Sequence, residues 1–99
     1  MEEKWILVLY LAGMTPAGQR ALANVTAICD KHLKGRYSVE VIDLIDRPAL
    51  AQSDQIFAVP TLVRRHPGPI RKMIGDLSNH EKVVAGMGLP EAGAGNAMA

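Results

Sequence analysis

The sequence predicts a single α/β domain whose first half is a parallel βαβ unit, and three observations carry that prediction. Residues 5–11, Trp-Ile-Leu-Val-Leu-Tyr-Leu, are apolar at odd and even positions alike, as a strand covered on both faces of a sheet requires. Ala21, Leu22, Val25, Ile28, Cys29 and Leu33 then recur at helical spacing. A β-branched run follows at 37–45 after a short link. Strand, long helix and strand joined by short links make a parallel pair with a right-handed crossover.

Each element has its own punctuation. Thr15 is an N-cap and Pro16 occupies the first helical position, where its missing N–H costs nothing. Lys31 and Lys34 suit the negative end of the helix and Gly35 its left-handed stop, which bounds the helix at 16–34. Asp46 can cap a short helix that carries Pro48 near its start and runs through Asp54. Residues 56–63 have strand composition, but Pro60 cannot donate to a ladder and implies an edge, a bulge or a cis bond. Around Pro67-Gly68-Pro69 the chain reads as strand, turn, strand, ended by Gly75-Asp76. Ser78-x-x-Glu81 is a capping-box signature, although Val83 to Leu89 carries two β-branched residues and two glycines and makes a poor helix. Local signals that disagree in this way mark a functional or switching segment. The order is β-α-β-α-β-β-α, that of a thioredoxin-like domain over residues 1–88, with a flexible tail at 89–99.

Composition narrows the function. Ninety-nine residues, 48% hydrophobic and 21% charged, suit one globular domain of modest stability. A net charge of +1 gives no bulk attraction to nucleic acid or acidic lipid. The longest apolar run is too short to span a bilayer, and the first residues lack the positive flank of a secretory signal, so a cytoplasmic protein is expected. The single cysteine forbids an intrachain disulfide and any CxxC pair.

The places where chemistry could sit are thinly furnished. A thioredoxin keeps its thiols between the first strand and the first helix, where the helix end lowers a thiol pKa; here that turn reads Ala12-Gly13-Met14-Thr15-Pro16-Ala17. Cys29 falls mid-helix on the apolar stripe and reads as a small core residue. Gly13, Thr15 and Gly18 could cradle an anion, but the loop continues Gly18-Gln19-Arg20 and lacks the Lys-Ser/Thr of a phosphate loop, so a plain strand-to-helix turn is the better reading. His32, His66 and His80 share no metal-ligand spacing. Asp43 and Asp46 resemble a carboxylate pair, yet Asp46 already has a capping role. Arg64, Arg65, Arg71 and Lys72 place four cations on one hairpin without an acid, a solvated face or a dock for an acidic partner. Four aromatic residues leave little for base stacking. The expectation is a non-enzyme with no catalytic residue, cofactor or metal.

Taken together, Leu9-Tyr10-x-Ala12-Gly13-x-Thr15-Pro16, Arg20-Ala21-Leu22, Val41-Ile42-Asp43-Leu44, Pro48-x-Leu50-Ala51, Ala58-x-Pro60-Thr61-Leu62, Pro67-x-Pro69-x-Arg71-Lys72 and Ile74-Gly75-Asp76-Leu77-Ser78 with Glu81-Lys82-Val83 resemble the circadian clock family KaiB. Each motif is weak; their order and spacing over residues 5–89 are specific. The resemblance implies a non-catalytic adaptor that docks on the N-terminal ATPase ring of a KaiC-type hexamer, regulates its timing cycle and competes with KaiA-like proteins or signalling histidine kinases. It also implies two folds, a ground-state homotetramer (or dimer) of order βαββααβ and a binding-competent monomer of order βαβαββα. By position, Arg20, Arg71 and Lys72 match basic partner-binding residues, and Gln55 stands where many relatives have lysine. Gly86 matches a glycine that biases the fold equilibrium, and Gly88 stands where many relatives have an acid. Pro60, Pro67 and Pro69 lie in the switching half, and isomerisation over roughly tens to hundreds of seconds makes them candidates for setting its rate. The alternatives are a diverged paralogue in stress adaptation and an interaction module like the sensor domain of a histidine kinase.

Overall fold

A computed structural model describes residues 4–91. The elements are β1 (Trp5–Leu11), α1 (Pro16–Leu33), β2 (Tyr37–Asp43), α2 (Ala49–Ser53), β3 (Thr61–His66), β4 (Arg71–Ile74) and α3 (His80–Met87), the βαβαββα order read from the sequence. They build one four-stranded sheet of order β2-β1-β3-β4. β1 is parallel to β2, with Trp5 opposite Tyr37 and Leu11 opposite Asp43. It is antiparallel to β3, which is antiparallel to β4.

β1 is doubly apolar because it serves two cores. Leu7, Leu9 and Leu11 face α1 and α3, where they meet Val25, Ile28, Leu33, Val83 and Met87. Val8 and Tyr10 face the other way, against Ile42, Ile56 and Val63, partly roofed by Leu50 of α2. The first layer is closed by an 18-residue helix and an 8-residue one, the second by a helix of five residues. The α2 face is therefore the more thinly covered of the two.

α1 begins as read, with the Thr15 hydroxyl accepting the Gly18 N–H, and ends at Leu33, one residue early, with Lys34 at φ +48° joining Gly35 at φ +84° in the left-handed stop. β2 ends at Asp43 rather than 45: the Leu44 N–H makes the last ladder bond, to the Leu11 carbonyl, and the chain then turns as the Asp43 carboxylate accepts the Ile45 N–H and its carbonyl those of Asp46 and Arg47. Asp46 does not cap α2: the helix starts at Ala49 with Pro48 as its N-cap, and Asp46 lies two residues earlier, in the turn that closes on the Asp43 carbonyl. The apolar run at 56–63 is mostly not strand; β3 starts at Thr61, after a cis Val59–Pro60 bond. His66–Pro67 and Gly68–Pro69 are also cis. α3 forms despite its glycines and is capped by Asn79, one residue after the Ser78 of the capping box, through the Lys82 N–H.

The boundary at 88 also moves. Leu89 is only 8% exposed and belongs to the core, and its N–H bonds the Val84 carbonyl. The Pro90 carbonyl accepts a hydrogen bond from His32 Nδ1 at 2.6 Å. The rest of the expected tail, 92–99, lies outside the described residues.

Candidate protein-docking face

On the α2 side of the sheet, three side chains lock together. Tyr10 donates its hydroxyl proton to Asp54 Oδ2 at 2.7 Å, Arg65 Nη2 donates to the Tyr10 hydroxyl at 2.6 Å, and Arg65 pairs with Asp54 at 3.4 Å. Burial, then the hydrogen bond to the Asp54 carboxylate, pushes the Tyr10 phenol above its ordinary pKa. This cluster pins the end of α2 to β1 and β3. It fixes the backbone at Asp54 and Gln55, the latter left-handed at φ +58°. Lys72 Nζ, from β4, donates to the Asp54 and Gln55 carbonyls at 3.1 and 3.0 Å.

Gln55 and Lys72 are thus brought together, and the chain beside them is unusually bare. Phe57 is 88% exposed and Ile74 67%, and both line a shallow hollow of about 150 Å³ with Ile56 and Thr61. A second cleft, about 380 Å³, lies between α2 and the hairpin, lined by Ser53, Val63, Arg65, Ile70 and Lys72. Large apolar side chains grouped in the open next to cations are what a docking surface presents.

The other predicted partner-binding residues lie elsewhere. Strand alternation turns Arg71 to the opposite face, where its guanidinium reaches the Gly86 carbonyl of α3 at 3.5 Å. Arg20, on α1, pairs with Asp76 at 3.6 Å. Hydrogen bonds from Ser78, then the Arg20 charge, hold the Asp76 carboxyl below the usual carboxylate range. The Asp76 carbonyl also accepts from Asn24 Nδ2, so Arg20 and Asn24 tie the 75–79 turn to α1. The four candidates form no single patch; only Gln55 and Lys72 do.

Arg64 corrects the sequence reading most sharply. Expected on a solvated hairpin, it is 5% exposed. Its Nη1 donates to the Met87 carbonyl at 2.7 Å, its Nη2 to the Pro69 carbonyl at 2.8 Å, and its guanidinium lies 5.4 Å from the Trp5 ring. Its Nε has no hydrogen-bond partner among the described residues. Burial and the neighbouring Arg71 charge lower its pKa, but a guanidinium stays protonated. Arg64 therefore stitches the β3–β4 hairpin to the C-terminal end of α3.

Gly88 sits against this stitch and Gly86 against Met73. A Cβ on Gly88, at φ +67°, would stand 2.8 Å from Arg64 Nη1; one on Gly86 would stand 2.6 Å from Met73 Sδ. Pro60 contributes its carbonyl to the Gly75 N–H. Pro67 and Pro69 flank the hairpin turn, with the Pro69 carbonyl held by Arg64.

Elsewhere the candidate chemistry is spoken for. The Gly13 N–H is taken by Asp43 Oδ1 and that of Gly18 by Thr15, which commits two donors of the proposed anion cradle. Cys29 is buried and its thiol is pushed up to about 12 by desolvation, so it is protonated and unreactive at neutral pH. His32 and His80, 48 residues apart, meet Nε2 to Nε2 at 2.8 Å, a pairing for which sequence spacing gives no signal. Among the described residues no three His, Cys, Asp or Glu side chains gather as a metal site would need, and no helix is long and apolar enough to cross a membrane.

Comparison with known proteins agrees with the fold and supplies the family. The chain is similar in structure to the N-terminal domain of Synechococcus elongatus SasA, with a TM-score of 0.72 at 21% identity over 86% of this chain and 80% of that one. Mitochondrial thioredoxin 3 of Saccharomyces cerevisiae gives 0.67 at 17% identity over 88% and 79%. In sequence it is 46% identical to the circadian clock oscillator protein KaiB of Thermostichus vulcanus, over 90% of this chain and 82% of that protein. Against KaiB of Prochlorococcus marinus strain MIT 9312 it is 47% identical over 86% and 81%. The KaiB domain profile matches residues 8–89, nearly all of the described chain, and the protein belongs to the KaiB family of circadian clock proteins.

Proposed function

We propose that this chain is a non-catalytic adaptor that docks on the N-terminal ATPase ring of a KaiC-type hexamer and so regulates its timing cycle and its access to signalling kinases. The observation that carries the reading is the family's near-complete coverage of the chain together with a bare face at Gln55, Phe57, Lys72 and Ile74. In this reading Lys72 and Gln55 lie at the centre of the contact, and Arg20 and Arg71 act at its margins or on a second partner of the KaiA or kinase type. The likeness to the SasA domain supports competition between two proteins of one fold for one partner.

The same reading includes a second, self-associated state of order βαββααβ. Pro60, Pro67, Pro69, Gly86 and Gly88 all lie in the half that would rearrange. A competent state that is only fractionally populated binds with its affinity reduced by that fraction, and conversion to it sets the rate of assembly.

The test is a time course. The protein is mixed with a KaiC-type hexamer and ATP, and complex mass is followed by native mass spectrometry. Slow growth of a stoichiometric ring complex, abolished by Lys72→Glu, is the expected result. Absence of any complex after a day with the rings of the source organism would overturn it.

A further inference from the structure

Among the described residues β4 is one of the sheet's two edges, paired with β3 alone. The Gly75 N–H points inward to the Pro60 carbonyl. In an antiparallel strand the N–H and C=O of one residue share a side and the sides alternate, so Arg71 and Met73 point inward with Gly75. Lys72 and Ile74 therefore present their backbone N–H and C=O to the open side. An uncovered edge of this kind is a template for another strand.

The side chains define which strand. Arg71 projects from one face of the edge and Lys72 from the other, and the pair gives the edge a positive charge on both faces. Lys72 Nζ has two backbone carbonyls as partners, which leaves one of its three ammonium donors and an uncompensated charge, since the Asp54 carboxylate is engaged by Tyr10 and Arg65. Beside them Ile74 and Phe57 lie open. Consecutive cations deter edge-to-edge pairing of identical copies, because like charges are drawn together across the new ladder.

We propose that the β4 edge binds an extended acidic segment of another protein as a fifth strand. Its backbone pairs with Lys72 and Ile74, its carboxylates meet Lys72 and Arg71, and an apolar side chain covers Ile74 and Phe57. The proposal extends the docking reading of the same face but does not need the ATPase. Peptide binding without a ring complex would sink the ring reading alone, and a ring complex without peptide binding would sink this one alone.

The experiment is an NMR titration of the full chain with a capped synthetic peptide built on a Val-Thr-Glu-Glu core, which sets carboxylates on both faces and the valine on the face of one of them, with a Val-Thr-Lys-Lys peptide as control. The acidic peptide is expected to shift the Lys72 and Ile74 amides and slow their exchange, with weaker binding at higher salt, while the basic peptide does nothing. Lys72→Glu is expected to weaken binding about tenfold or more. Ile74→Ala and Ile74→Pro both replace the isoleucine by a smaller side chain, but only the proline deletes the outward N–H, so Ile74→Pro must be the weaker binder. Equal binding of both peptides, perturbation that bypasses Lys72 and Ile74, or no binding at millimolar peptide would overturn the proposal. So would amide protection at the edge that rises with protein concentration alone, which would assign the edge to a second copy.

Discussion

The two halves of the molecule are held by different forces. In β1-α1-β2 the contacts are apolar and redundant: Leu7, Leu9 and Leu11 each lie in a core that also takes Ala21, Val25, Ile28 and Leu33 from one long helix. In β3-β4-α3 the apolar part is smaller and much of the positioning is directional. Arg64 reaches two carbonyls, Asn24 holds the Asp76 carbonyl, and His32 joins His80 to the Pro90 carbonyl. Apolar burial is indifferent to small rearrangements, whereas a hydrogen bond to a particular carbonyl is made or lost as a unit. The second half is thus the one whose arrangement hangs on a few contacts, and it carries both the docking face and the segments with conflicting sequence signals.

The largest effect should come from the first half. Leu9→Ala removes a fully buried side chain and should cost about 2–5 kcal/mol. Denaturant melting should show one cooperative transition at lower midpoint, with hydrogen-exchange protection lost in all elements together. Local loss confined to one half would break the comparison. Next is Arg64→Leu, which leaves the Met87 and Pro69 carbonyls without their donor and should cost about 1–3 kcal/mol. Here exchange should accelerate in α3 and the hairpin while α1 stays protected, and uniform loss across the sheet would refute the staple role. The smallest effect sharpens the picture at one contact. Gly86→Ala should gain about 0.5–1 kcal/mol of helix stability where there is room for it. With Met73 in place the new Cβ meets the sulfur, so the gain should appear only on a Met73→Ala background. A double-mutant cycle by chemical denaturation measures that coupling, and strict additivity would show that Met73 simply moves aside.

How much was legible in advance follows the same division. α1 was readable because burial of one face imposes a helical period, β1 because burial on both faces leaves an unbroken apolar run, and β2 from its β-branched residues; the Thr15-Pro16 cap adds local chemistry. In the second half the element order was legible but its details were decided by distant partners. Asp46 lost its capping role because α2 starts later than expected, at Ala49 with Pro48 as its N-cap, two residues beyond it. Arg64 occupies an inward strand position two residues after Leu62, a parity visible in the sequence, but charge argued for solvent and the two carbonyls and Trp5 ring that accept it are far along the chain. Of the site, Lys72 and Gln55 were flagged by resemblance, while their meeting depends on backbone carbonyls that no side-chain pattern reports. Phe57 was missed: it sits inside an apolar run that reads as buried strand, and only the late start of β3 at Thr61 leaves it outside.

The one cysteine of this chain has a practical consequence. Cys29 is buried in the core that α1 shares with β1 and α3, and burial pushes its thiol up to about 12. In the opened chain the same thiol ionises near its ordinary value of about 8.5. At mildly alkaline pH an alkylating reagent therefore meets a nucleophile only in molecules whose core has opened, because thiolate rather than thiol reacts. The native chain thus carries its own label for opening of that core, with no probe to be engineered in.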